Sequence, residues 1–363
     1  MIAIYSILHF IVDAICAFAM FGRFGGDSIY AYLLYNLCAF VLQLPIGAVI
    51  DLIVMKMSGN AAKKRVFLAV TTLGVVLTLI GMYAGPYALG VGNALFHSGG
   101  GVGCINEDRD RKLNGRGLGV FVAPGALGLF VGKLANSYSF GQQYVQLAWV
   151  AVSLLMVIIA FLCLVAEEKR LSSDATDNSS AEDCDYKKKA TGFGILLTVI
   201  CCFIVVIIRS YVGMAMSFDW KTGLAMTLLA VLMVAFGKAA GGFAAARIGK
   251  LATICISLGL AGVAFFFSDN AIAGLLALFF FNMTMPITLH MMTEMLTDTP
   301  GIAFGSLSFG LFIGFLPVYF EWAVPVTGMW IGVAGSLLSL ALLVIPIVLV
   351  IPIVLVRRNK GKR

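Results

Sequence analysis

The stretch EEKRLSSDATDNSSAEDCDYKKK, residues 167–189, is the only long polar segment in a chain of 363 residues, and its position decides the fold. Before it, apolar runs of spanning length fall at 2–22, 29–55, 66–84, 86–104, 117–135 and 143–166. After it, they fall at 193–216, 222–243, 251–268, 271–293, 302–320 and 328–356. A bilayer core about 30 Å thick takes roughly 20 apolar residues per helix. Twelve runs, six on each side, therefore predict an all-α membrane protein with twelve transmembrane helices. The expected domains are a six-helix bundle over 1–166, a cytoplasmic linker over 167–192, and a second six-helix bundle over 193–363 ending in a short basic tail. Composition agrees: 61% of residues are apolar and 12% charged, against about 25% charged in soluble domains. An ordinary soluble enzyme, a disordered chain and a disulfide scaffold are all excluded.

The net charge of +7 is loop charge. With the N-terminus inside, twenty of the 25 lysines and arginines fall on the cytoplasmic side, among them Lys63, Lys64, Arg65, Arg109, Arg111, Lys187 to Lys189 and Arg357. That bias sets orientation and places both termini in the cytoplasm. The opening MIAIYSILHF lacks a basic n-region and reads as a first span. Mixed signs in Asn106-Glu-Asp-Arg-Asp-Arg-Lys112 argue against nucleic-acid binding. No Walker lysine follows the glycines at 99–101, so any pumping must draw on an ion gradient. Nothing resembles a nucleophile–base pair at a membrane surface, and neither an enzymatic activity nor a cofactor is expected. The methionines around the tenth run, with His290 and the Cys201-Cys202 pair, are soft donors. Methionine is also a common filler of apolar helix faces, so no metal site is expected. The expected partners are the lipid bilayer, protons and a small-molecule substrate, with the chain a monomer.

Six plus six around a basic linker is the plan of a transporter with its site between two repeated halves. Ionisable groups inside hydrocarbon cost at least about 2.5–3.5 kcal/mol and are functional candidates by default. His9 and Asp13 lie four apart on the first run, and Asn93 and His97 repeat that spacing on the fourth. Arg209 lies in the seventh; Asn282, Thr288 and His290 lie in the tenth, with Glu294 at its end. All three histidines of the chain fall on runs one, four and ten, which with run seven line the central cavity of a two-repeat architecture. Asp13, His9 and Glu294 are the candidates for proton coupling. Arg209, His97, Asn93, Asn282, Thr288 and His290 are the candidates for substrate binding. Asp13 and Arg209 fall at similar depth and could form a salt bridge. Gly47-Ala-Val-Ile-Asp51 ends the second run, and the stretch from Gly237 through Gly241 to Arg247 and Lys250 ends the eighth. Gly47, Asp51, Gly241 and Arg247 are the gating candidates: small residues let helix ends approach, and an acid can cap a helix N-terminus or pair with an arginine.

These two stretches resemble the G-x-x-x-D-R-x-G-R/K signature of major facilitator transporters, with Ala246 where the second acid belongs. More of the chain resembles the fosmidomycin-resistance type of that superfamily: His9-Phe10-x-x-Asp13, Gln43-x-Pro45-x-Gly47-x-x-x-Asp51, Gly90-x-Gly92-Asn-Ala-Leu-Phe96-His97, Arg209-Ser210-Tyr211-Val212, and Asn282-x-x-x-Pro286-Ile-Thr288 followed by Glu294, Pro300, Gly301 and Gly305. The resemblance implies the major facilitator fold and a drug:proton antiporter in a bacterial inner membrane, exporting small molecules, with His9, Asp13, His97, Arg209 and Glu294 as its functional residues. Ala123-Pro124-Gly125 departs from the family pattern in the fifth span and fits either a hinge or plain tight packing. The alternatives are a nutrient or divalent-metal transporter of the same fold, and a membrane receptor or scaffold that transports nothing.

Overall fold

The computed structural model describes residues 1–25, 28–137, 142–174, 192–322 and 328–360. Most of the polar linker, Cys184 with it, and the last three tail residues lie outside the described residues. Helices coincide with all twelve apolar runs. They are α1 (Ile2–Phe24), α2 (Ile29–Met55), α3 (Asn60–Ala84), α4 (Pro86–Asp110), α5 (Arg116–Ser137), α6 (Gln143–Ala166), α7 (Gly192–Ala215), α8 (Gly223–Ile248), α9 (Lys250–Phe266), α10 (Ala271–Met295), α11 (Pro300–Tyr319) and α12 (Met329–Leu349). Among the described residues, ten of these are long and apolar enough to cross a membrane. The two that fall short are α4, diluted by glycines and by its polar Asn93, His97 and terminal acids, and α9, with only 17 residues.

The turns between helices follow from local chemistry. Gly85 adopts φ +133°, which a side chain would resist, and Pro86 then starts α4 where its missing N–H costs nothing. Asn270 caps α10 by accepting the Ile272 and Ala273 N–H groups at 2.9 and 3.3 Å. Three helices are broken internally next to a proline, α2 at Leu42 just before Pro45 being the first. Pro124 cannot donate to the carbonyl four residues back, and α5 is interrupted at Ala123. Pro286 has the same effect on α10, which restarts at Thr284.

Helices α3 and α4 pack along their length through small residues. A Cβ on Gly99 would stand 2.6 Å from the Thr71 nitrogen, so the backbones are already in contact there. One buried apolar cluster joins residues from both sides of the linker, including Tyr5, Leu118 and Phe121 with Val205, Phe265 and Phe304. Large apolar side chains such as Leu52, Ile158, Leu228 and Val263 point outward, as lipid-facing positions require.

Helices from the two sides of the linker meet along two seams. On α2 and α11, the Asp51 carboxylate accepts the Gly301 and Ile302 N–H groups at 2.9 and 2.8 Å. Further along, Ser308 donates to Gln43 Oε1 at 2.5 Å, Phe40 meets Phe315 edge-on, and Asn36 bonds the Tyr319 hydroxyl. On α5 and α8, a Cβ on Gly119 would stand 3.2 Å from the Gly242 Cα.

Candidate functional site

Three sets of polar side chains are buried among these helices. The first joins α1, α4 and α5. His9 and Asp13, spaced one helical turn apart, present Nε2 and Oδ2 to each other at 3.2 Å. From α4, His97 Nε2 lies 3.6 Å from Asp13 Oδ1, and Asn93 Nδ2 lies 3.5 Å from the same oxygen. Asp13 and His9 are only 8% and 7% exposed. The proline in α5 reaches into this set. The helical turn before Pro124 ends at Val122, so its last carbonyls lack helical donors. That of Phe121 accepts from His9 Nδ1 at 2.7 Å. His97 Nδ1 bonds the Asn93 carbonyl in the same way at 3.0 Å. Gly125 follows the proline; a Cβ there would stand 2.5 Å from His9 Nε2 and 2.6 Å from Asp13 Oδ2.

The second set centres on Arg209 of α7, 7% exposed. The break before Pro286 turns the Thr284 hydroxyl into its reach: Arg209 Nη2 donates to Thr284 Oγ1, which itself donates to the Phe281 carbonyl. The guanidinium also lies over the Phe281 ring, 5.5 Å from its centroid. Arg209 Nε and Nη1 are buried with no hydrogen-bond partner. Arg209 also lines a cavity of about 230 Å³, with Asn282, Phe281, Lys221, Ala126 and Met216, among others. A larger cavity, about 350 Å³, lies elsewhere, between Arg23, Tyr83 and Gln146, and contains none of the candidate residues.

The third set holds His290 and Glu294 of α10 with Lys250 of α9. Lys250 pairs with Glu294, and His290 Nε2 lies 3.6 Å from Glu294 Oε1. His290 packs against the loop that joins α4 to α5, with Nδ1 3.1 Å from where a Gly115 Cβ would be.

The expected residues thus divide. His9, Asp13, Asn93 and His97 come together, as their spacing predicts. Asp13 and Arg209 form no ion pair: the carboxylate faces the two imidazoles, and the guanidinium faces Thr284. Asn282 lines the Arg209 cavity, its amide donating to the Leu278 carbonyl at 2.8 Å. Thr288 is 0% exposed and returns its hydroxyl to the Thr284 carbonyl, so no solute reaches it in this arrangement. Glu294 and His290 stand with Lys250 instead of with Asp13. Gly47 and Asp51 lie at the α2–α11 seam, Gly241 packs against the α10 break at Met283, and Arg247 is exposed. One residue was not expected. Lys238 of α8 interacts electrostatically with both Asp13 and Arg209, linking the first two sets. Its signal in the sequence is a lysine inside an apolar run with no acid on its own helix to pair with.

No family model matches the chain, and no curated protein matches it by sequence. Solved structures share its fold. The E. coli fucose:proton symporter aligns at TM-score 0.51 and 12% identity, over 95% of this chain and 97% of that one. The human organic anion transporter MFSD10 aligns at TM-score 0.59 and 12% identity, over 95% and 98%. A bacterial homologue of the iron transporter ferroportin, in an outward-facing state, aligns at 0.53 and 13% identity, over 97% and 99%. At this identity the likeness carries the fold and nothing finer: the chain is an all-helical, multi-pass membrane protein built on the major facilitator fold.

Proposed function

We propose that the chain is a secondary transporter with twelve spans in two six-helix bundles, 1–166 and 193–363, and that it exports a small organic molecule bearing an anionic group, coupled to protons. The observation that carries this reading is Arg209: a buried cation that lines a cavity and has two guanidinium nitrogens without a hydrogen-bond partner. An unmet charged donor in a membrane interior is costly, and a carboxylate or phosphate-like group fits its fork. The neighbours' names cover a sugar, organic anions and iron, so the fold leaves the solute open; Arg209 favours the anion. Asp13 with His9 and His97 takes up and releases the proton, and rocking of the bundles about the two seams exposes the site alternately. Gly47 and Asp51 belong to the α2–α11 seam, at the cytoplasmic end, and Gly241 brings α8 against the α10 break. Export in exchange for protons follows the resemblance to fosmidomycin-resistance transporters.

Lys238 favours a second reading. Protonating Asp13 removes the negative charge that offsets Lys238 and leaves the positive field of Lys238 and Arg209 unopposed, so proton and anion would bind the same state and move together. Purified protein in liposomes with an internal pH dye separates the two. Adding organic anions outside should alkalinise the lumen for exchange and acidify it for co-transport, and Asp13→Asn should abolish either signal. Silence across anions, cations and neutral solutes, in folded and inserted protein, would reject transport and favour a receptor.

A further inference from the structure

The hydrogen bonds around His9 and His97 determine which ring nitrogens carry protons. A carbonyl oxygen can only accept, so His9 Nδ1 at Phe121 and His97 Nδ1 at Asn93 are both the protonated nitrogens. In neutral rings both Nε2 atoms are then bare lone pairs. Both are aimed at one carboxylate, at 3.2 and 3.6 Å. Lone pairs converging in this way need positive charge between them. Two protons meet both contacts. A single divalent cation also meets both, and leaves the same net charge.

The dimensions suit the cation. The three donors lie within 4.8 Å of one another. Tetrahedral coordination with bonds of about 2.0–2.1 Å puts donors roughly 3.3 Å apart; the two histidine–carboxylate contacts, 3.2 Å to Oδ2 and 3.6 Å to Oδ1, stand near that spacing, and a cation would draw the donors together from a set no wider than 4.8 Å. Ligating histidines characteristically donate their other N–H to a carbonyl or carboxylate, which fixes the ring; here Phe121 and Asn93 supply that acceptor. Gly125 leaves the donor face uncovered where any side chain would press on it.

We propose that His9, Asp13 and His97 form a three-donor site for a borderline first-row divalent cation of the zinc class, with a fourth position left for water or solute. Two imidazoles and one carboxylate discriminate against magnesium and calcium, which take shells of oxygen. Lys238 opposes the cation electrostatically, so removing its charge tightens binding. Cation binding at these three donors is independent of the solute that the chain transports.

The test is titration of tag-free, detergent-purified full chain with Co²⁺, read by visible absorption, followed by displacement with Zn²⁺. The expected result is one equivalent bound with the spectrum of a four-coordinate nitrogen–oxygen site. Asp13→Asn, His97→Ala and Gly125→Ala should each weaken binding by more than about tenfold, with the variants' folding checked by melting. Lys238→Met should strengthen it, and excess Mg²⁺ should not compete. No saturable binding by folded protein would overturn the proposal and leave proton coupling standing. So would binding that survives Asp13→Asn, a thiolate charge-transfer band from the cysteines, or loss on His290→Ala with Asp13→Asn unaffected.

Discussion

The Asp51 carboxylate caps the N-terminus of α11 at Gly301, accepting its N–H at 2.9 Å and that of Ile302 at 2.8 Å across 250 positions of sequence. The contact is charge-assisted and meets the positive end of the helix dipole. It holds α2 to α11 in the arrangement described.

Removing that carboxylate should loosen this seam. Asp51→Ala is expected to cost about 1–2 kcal/mol and to lower the melting temperature in detergent, with Asp51→Asn falling between because its amide oxygen still accepts one bond. Equal melting of all three proteins would show that the cap contributes nothing.

Straightening α5 should stabilise the protein and impair it. Pro124→Ala restores a helical N–H, and proline inside a helix costs about 3 kcal/mol relative to alanine. The Val120 carbonyl then regains its helical donor, and the continuous turn sets the Gly125 N–H against His9 Nδ1 for the Phe121 carbonyl. The expected outcome is a melting temperature that is unchanged or higher, with slower coupled flux and a changed His9 tautomer by nitrogen NMR. Unaltered flux with an unaltered tautomer would separate the break from the site.

Arg209→Lys retains charge and loses the fork. A charge-assisted hydrogen bond is worth roughly 1.5–3 kcal/mol, so the apparent affinity for an anionic solute should fall by about 10–100-fold. Transport of a neutral solute should be less affected. If a lysine serves as well as the arginine, the geometry of Nε and Nη1 plays no part in binding.

Glu294→Gln tests the third set. Both partners of the Lys250 pair are partly exposed, 26% and 29% for the side chains, and such pairs contribute about 1 kcal/mol or less. A small drop in melting temperature is expected, without the loss of proton movement that Asp13→Asn produces. Collapse of proton movement in folded Glu294→Gln would locate the coupling at this pair.

The helices were legible because spanning a bilayer imposes a length and an apolarity that any window of sequence displays. The glycine-rich α4 was legible as an apolar run over 86–104, although Asn93, His97 and its terminal acids make the whole helix poor for a span. The pairings within one turn were equally legible: His9 with Asp13 and Asn93 with His97 follow from the helical period alone. Lys238 was missed because it was read with the small-residue stretch at the end of α8. Its partners are on α1 and α7, and only the packing of three helices brings them together.

By itself the sequence determined an all-helical membrane chain, the positions of its helices, and the cost of burying Asp13, Arg209 and three histidines. Those are properties of residues and their immediate neighbours. The tertiary structure alone decided that Asp13 faces two imidazoles and not Arg209, that Arg209 lines a cavity and keeps two unmet donors, and that Glu294 pairs with Lys250. Depth along a helix says how far a side chain lies from the membrane surface. Which neighbour it meets depends on the rotation and crossing of helices, and these are set by contacts such as Gly47 with Gly301 and by the breaks at Pro124 and Pro286, where freed backbone carbonyls and a turned hydroxyl supply the partners.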